Sequence, residues 1–229
     1  MRKNNKIFVH IPKTAGTSFM DVINENEGDF INCKGLMSII KSVIQDGAFV
    51  KGHIPYGVNV FGFSQPRYIT FLRNPTEQCI SFYYFVQEWH KHPYCHDAKR
   101  NSLIDFYSMN KYQNPQTKYI GGHVLLPNDY IPINYLLRRA KQRLTNKFDF
   151  GITERYADSI KLLCSRFHWD KSPITHTTRA KLRPKTEDIS KDILDTLKEL
   201  NVADWDLYHY ALTLFSERCR QAGIELTCG

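Results

Sequence analysis

The 229-residue sequence predicts an α/β fold: a central, mostly parallel sheet covered by helices on both faces, in three layers. Three observations carry this. Short β-branched and aromatic runs recur along the chain, stretches with the apolar spacing of helices separate them, and a 42% hydrophobic content is enough for a sizeable core. At this length the chain is expected to be a single domain spanning residues 1–229.

Residues 6–10 (KIFVH) read as the first buried strand, 11–18 as a sharp turn, and 19–23 as the continuation of an amphipathic helix. The polar stretch 24–35 reads as a loop. Residues 36–46 read as a short helix with Leu36, Ile39, Ile40, Val43 and Ile44 on one face. A second strand is expected over 47–53 and a third over 68–73. Asn74-Pro75 then opens a helix over 76–91, with proline in its favoured early position. Between 92 and 130, helices are expected near 101–109 and 115–120 among loops rich in Gly, Pro and Asn. A basic helix over 133–144, a fourth strand over 147–153 and a helix over 154–168 follow. Residues 169–187 read as a loop, and helices over 189–200 and 204–222 close the chain. Strands separated by helices imply right-handed parallel crossovers, with ligands gathered at the carboxyl ends of the strands.

The formal net charge of +8 suits an anionic partner: a nucleotide, an acidic glycan or a nucleic acid. No leader peptide, membrane span or N-glycosylation acceptor is legible, so the expectation is a cytoplasmic protein without a membrane partner. Six cysteines show no C-x-x-C spacing and read as free thiols. His90, His92 and His96 stand near Cys95 and Asp97, but their spacing fits no standard metal site, and no metal is expected. Arg138, Arg139, Lys141, Arg143 and Lys147 read as a basic helix face.

Two stretches carry chemistry. The first is Ile11-Pro12-Lys13-Thr14-Ala15-Gly16-Thr17-Ser18, between a strand and a helix. First-turn N–H groups lack intrahelical partners and the helix dipole adds positive potential, so this place holds anions. Lys13 adds a mobile charge, Thr14, Thr17 and Ser18 add hydroxyls, and Gly16 lets the backbone approach a ligand. The stretch lacks the G-x-x-x-x-G-K-[ST] pattern of a Walker A loop. The second is a strand ending in Arg73, followed by Asn74-Pro75 and, eight residues after the arginine, Ser81. Arg73 can grip a phosphate monoester through a two-pronged contact, and a serine two helical turns on can add a hydroxyl.

Residues 10–18 resemble the 5′-phosphosulfate-binding loop of carbohydrate sulfotransferases, similar to heparan sulfate 2-O-sulfotransferase, and 68–85 look like that family's 3′-phosphate-binding segment. The resemblance covers residues 6–20, 48–56 and 68–85, and 148–185 loosely. It implies a P-loop-NTPase-like three-layer fold. It also implies the donor 3′-phosphoadenosine-5′-phosphosulfate (PAPS), with 3′-phosphoadenosine-5′-phosphate (PAP) as product, and a hydroxyl acceptor on a saccharide or small metabolite. Carried over residue by residue, it assigns Lys13, Thr14, Ala15, Gly16, Thr17, Ser18, Arg73 and Ser81 to the nucleotide, and Lys13 also to leaving-group stabilisation. His53 matches the family's base at the end of the second strand; Lys51 stands where a further histidine is found. Gln78 stands where the family often has a second arginine. The run 177–184 looks like the family's lid, with Arg179 and Lys181 toward the nucleotide, and Glu154 either caps a helix or lines the acceptor pocket. Residues 92–130 are taken as the acceptor-shaping insertion. Three other readings compete: a P-loop-type nucleotide kinase or NTPase, a nucleic-acid-binding module, and a non-catalytic nucleotide-binding relative. The first lacks its phosphate loop, and the second lacks a basic stripe interleaved with aromatics.

Overall fold

The computed structural model describes residues 5–28, 30–33, 47, 49–57, 66–122, 130–171 and 182–226. Five parallel strands form one sheet in the order β2-β3-β1-β4-β5. They are β1 (Lys6–Val9), β2 (Phe30–Asn32), β3 (Phe49–Gly52), β4 (Arg67–Leu72) and β5 (Phe148–Ile152). The helices are α1 (Gly16–Glu27), α2 (Pro75–Glu88), α3 (Cys95–Arg100), α4 (Leu103–Ser108), α5 (Pro115–Gly121), α6 (Ile133–Asn146), α7 (Tyr156–Phe167), α8 (Lys191–Leu200) and α9 (Val202–Gln221). The α/β class with a three-layer, P-loop-NTPase-like arrangement is therefore the one expected from the sequence.

Strand alternation builds the layers. Ile7 and Val9 of β1, Tyr68 and Leu72 of β4, and Phe148, Phe150 and Ile152 of β5 join one core with Ile120, Ala140, Leu144, Leu207 and Phe215. Phe8, Ile69 and Phe71 face the other way and pack on Phe19, Val22, Ile23, Ile160 and Leu163. A third cluster lies apart, where Ile80, Tyr83 and Val86 of α2 meet Phe106, Tyr107 and Leu197. This lobe carries most of residues 92–122 and seats them against the helix that bears Ser81.

Some expectations are corrected. Residues 24–35 are not one loop: α1 runs on to Glu27, and Phe30–Asn32 is an edge strand on β3. The helix end is polar because Asn26 and Glu27 have partners outside it; the Lys171 carbonyl accepts from Asn26 and Glu27 accepts from Lys6 and Trp169. Three strand residues are too few to show a period. Helix α3 is likewise new, being a six-residue element among polar residues. A 3₁₀ turn, Thr153–Arg155, precedes α7 where one helix was expected, and another, Thr186–Asp188, interrupts the 169–187 loop. The expected helix over 36–46 lies outside the described residues.

The chain leaves β1 toward β3 and β2, then crosses back over β1 to β4 and β5. The direction of winding reverses between β1 and β4, and the carboxyl ends of these neighbours flank the crevice where ligands bind in open α/β sheets. Lys13 follows one strand and Arg73 the other.

Candidate active site

One cavity of about 760 Å³ opens over this crevice, and its walls include Lys13, Ala15, Gly16, Thr17, His53, Arg73 and Ser81. Seven residues assigned from sequence thus share one space. Thr14 and Ser18 do not line it: they are 0% and 4% exposed. The Thr14 hydroxyl donates to the Ile11 carbonyl at 2.9 Å, so its role is to close the turn. Arg179 and Lys181 lie outside the described residues.

The turn itself is strained in a defined way. Lys13 and Ala15, neither of them glycine, adopt φ of 65° and 62°. Ala15 caps α1 without a side-chain acceptor, and the first turn holds no acidic residue. Nothing in the cap competes with an incoming anion for that helix end. Gly16 carries a further constraint. A Cβ there would fall 1.9 Å from His10 Nε2, so the missing side chain makes room for an imidazole.

His10 is that imidazole. It stacks on Phe8 at 5.3 Å between ring centroids and meets the His53 ring at 4.3 Å. Burial, with the nearby His53, Lys51 and Lys13 charges, pushes its pKa down to about 3, so the ring is neutral where it lines the cavity. His53 follows the buried end of β3, where Gly52 accepts from the His10 backbone N–H at 3.0 Å. His53 Nδ1 lies 2.7 Å from the His10 carbonyl oxygen. A carbonyl only accepts, so Nδ1 carries the proton and Nε2 keeps a lone pair. Burial lowers the His53 pKa, opposed by that hydrogen bond and aided by Lys51. Lys51 stays a neighbour of His53, its ammonium 4.3 Å from the Phe30 ring centroid.

The cationic groups converge. Arg73 Nη1 donates to the Lys13 carbonyl at 3.2 Å, and Arg73 Nη2 donates to Glu77 at 2.9 Å. Arg183, which sequence reasoning passed over in favour of its neighbours, is the missed site residue. Its side chain is 3% exposed, it lines the cavity, and its Nη2 donates to the same Glu77 carboxylate at 2.6 Å. Arg183 Nε is buried without a partner among the described residues. Thr186 also donates to Glu77, and Glu88 accepts from Leu182 N, latching the segment from 182 onto α2. Burial and the two guanidinium groups push the Lys13 pKa down, opposed by Glu88. The only sequence signal for Arg183 is its place in the basic run; Glu77 is 106 residues away.

Gln78, at the position where the resembled family often has a second arginine, is 1% exposed and donates from Nε2 to the Pro12 carbonyl at 3.0 Å. It holds the lysine turn against α2. Gln116 performs a similar task for Arg73: its amide accepts from Arg73 N at 3.0 Å and donates to Arg73 O at 2.8 Å. Asp204 in turn accepts from the N–H groups of Gln116 and Thr117. Glu154 does not line the cavity; it accepts from Asn74 N at 2.9 Å and from the Tyr208 hydroxyl at 2.8 Å. The basic helix face is also partly revised, because Arg143 is buried and donates to the Ile120 and Gly122 carbonyls. Lys141 pairs with Asp206. Among the described residues no group of three or more His, Cys, Asp or Glu is placed to hold a metal ion. None of the described helices is long and apolar enough to cross a membrane.

The cavity wall is also rich in aromatic residues. Phe82, Phe85, Trp89, His92, Tyr94, Tyr112 and Tyr119 line it, and the Lys13 ammonium sits 4.4 Å from the Phe85 ring centroid.

Comparison with known proteins places the fold. The crystal structure of mouse sulfotransferase SULT7A1 complexed with PAP matches with a TM-score of 0.56 at 12% identity, over 92% of this chain and 90% of that one. No protein-family model matches the sequence, and no curated protein matches it. The chain thus shares the architecture of a sulfotransferase.

Proposed function

We propose that this chain is a PAPS-dependent sulfotransferase that modifies a hydroxyl of a saccharide or small metabolite, within a single catalytic domain. One observation carries the reading: Lys13 and Arg73 leave adjacent strands into one cavity, hydrogen-bonded to each other through the Lys13 carbonyl. Two anion-holding groups so joined suit the two phosphates of one adenosine bisphosphate. The residues fit such a ligand, since Arg183 Nε is a buried donor lacking a partner among the described residues and no carboxylate occupies the start of α1. The neighbour of like fold carries PAP.

PAPS supplies the sulfuryl group: an acceptor oxygen–sulfur bond forms as the sulfur–oxygen bond to the 5′-phosphate breaks, and the electron pair stays with PAP. Lys13 and the first N–H groups of α1 stabilise the charge gathering on the 5′-phosphate. Arg73, Arg183 and Ser81 hold the 3′-phosphate. His53 Nε2 takes the hydroxyl proton, its tautomer fixed by the His10 carbonyl, and releases it to solvent after transfer. Of the stretch expected to shape the acceptor space, Lys111, Tyr112, Pro115 and Tyr119 line the cavity.

Thermal unfolding with PAP, with ATP and Mg²⁺, and with a short oligonucleotide tests the reading. PAP is expected to raise the transition by an amount that grows with the logarithm of its concentration over Kd. Equal stabilisation by ATP and Mg²⁺ would favour the nucleotide kinase or NTPase reading instead.

A further inference from the structure

His92 is a third imidazole on the cavity wall, beside His10 and His53, and stands among its aromatic residues. Its ring meets Phe82 at 5.8 Å, Trp89 at 5.2 Å and Tyr94 at 5.2 Å between centroids, edge-on to Phe82 and Tyr94. Its Nδ1 accepts the Tyr94 backbone N–H at 3.1 Å. That bond consumes the Nδ1 lone pair, so the neutral ring carries its proton on Nε2. Burial and the His53 charge lower the His92 pKa, which favours the neutral ring. Nε2–H has no partner among the described residues. Lys111 and Tyr112 on the same wall are instead committed to Asp97, at 2.7 Å and 2.5 Å.

His53 and His92 have opposite polarity. His53 shows the cavity a lone pair, and His92 carries a donor. A hydroxyl that gives its proton to His53 gains nothing from a donor on the same oxygen, which would draw electron density from the attacking atom. The donor suits a second oxygen beside the first. The flat apolar rings around His92 suit the face of a ring, whether sugar C–H groups or an aryl plane.

We propose that His92 selects the acceptor: it donates Nε2–H to an oxygen adjacent to the one that is sulfated, on a ring lying against Phe82, Trp89 and Tyr94. The acceptor class is thus a ring bearing two neighbouring oxygens, a pyranose diol or a catechol. This rests on the sulfotransferase reading above.

The test is calorimetric binding to the protein saturated with PAP, using matched pairs: catechol against phenol, and a methyl pyranoside against its single-deoxy forms. The wild-type chain should bind the two-oxygen member of at least one pair about 5- to 10-fold more tightly, the worth of one hydrogen bond. His92→Phe, which keeps the aromatic contacts, should bring that ratio to about one, and His92→Gln, which restores a donor, should recover part of it. PAP affinity should be unchanged in both variants. The pair that discriminates identifies the sugar or the aryl source. A ratio near one in the wild type, no binding of any probe to the PAP complex, or a ratio that survives His92→Phe overturns the assignment of His92. Absence of PAP binding itself overturns the underlying reading, and His92 with it.

Discussion

Arg73 sends one guanidinium nitrogen back to the main chain of Lys13, 3.2 Å from its carbonyl oxygen across 60 residues of sequence. The turns after β1 and β4 are therefore one mechanical unit. A change at Arg73 acts on its own ligand contact and on the carriage of Lys13.

Arg73→Lys keeps the charge and loses the planar fork that reaches Lys13 and Glu77 together. PAP affinity should fall about 10- to 100-fold, the worth of a hydrogen bond to a charged group. Titration calorimetry measures this. An unchanged Kd would remove Arg73 from the site.

Glu77 gives an opposite sign to two views of the same change. As a point charge near a phosphate site it repels, and Glu77→Ala should tighten PAP binding. As the carboxylate that accepts from Arg73, Arg183 and Thr186, it organises the cationic wall. We expect weaker binding, by about tenfold, because losing a charge-assisted bond frees both guanidinium groups. Tighter binding would contradict the organising role.

Gly16→Ala sets a Cβ 1.9 Å from His10 Nε2. The His10 ring is held between Phe8 and His53, so it must shift and carry His53 with it. Urea unfolding should show a loss of about 1–3 kcal/mol, the usual range for overpacking. A stability equal to wild type would show that the ring moves freely.

The sheet, the order of its main elements and the two turns that meet at the cavity were legible because each rests on a local pattern. Four residues of buried strand before Lys13, or Asn74-Pro75 at a helix start, are signals within a few positions. Edge strand β2 was missed since three residues with one neighbouring strand need almost no hydrophobic signature. Arg183 was missed because its mark is a carboxylate on α2, a partner set by tertiary packing. The His10 constraint on Gly16 comes from a ring at the end of the preceding strand, and no turn signal carries that. Thr14 and Thr17 look alike in sequence, yet one is buried on the Ile11 carbonyl and the other faces the cavity.

His53→Gln should lower sulfate transfer by about 10²–10⁴, the range of general-base catalysis, with PAP affinity retained. The pH profile follows from the direction of the shift. The His53 pKa lies below 6.5, and the base works when neutral. The kcat/KM for PAPS, which reports groups of the free enzyme, should therefore rise with pH through a midpoint below 6.5 and stay level across neutrality as far as this group governs it. A midpoint above 6.5 would point to a different base.

The central claim is that Lys13 and Arg73 hold opposite ends of one nucleotide. Titration with PAP, adenosine 5′-monophosphate and adenosine 3′-monophosphate, on wild type, Lys13→Ala and Arg73→Ala, tests it most directly. PAP should bind the wild type at least about tenfold more tightly than either monophosphate, as an added charge-assisted contact requires. Arg73→Ala should erase the advantage over the 5′-monophosphate, and Lys13→Ala the advantage over the 3′-monophosphate. PAP binding no tighter than adenosine 5′-monophosphate would contradict the account.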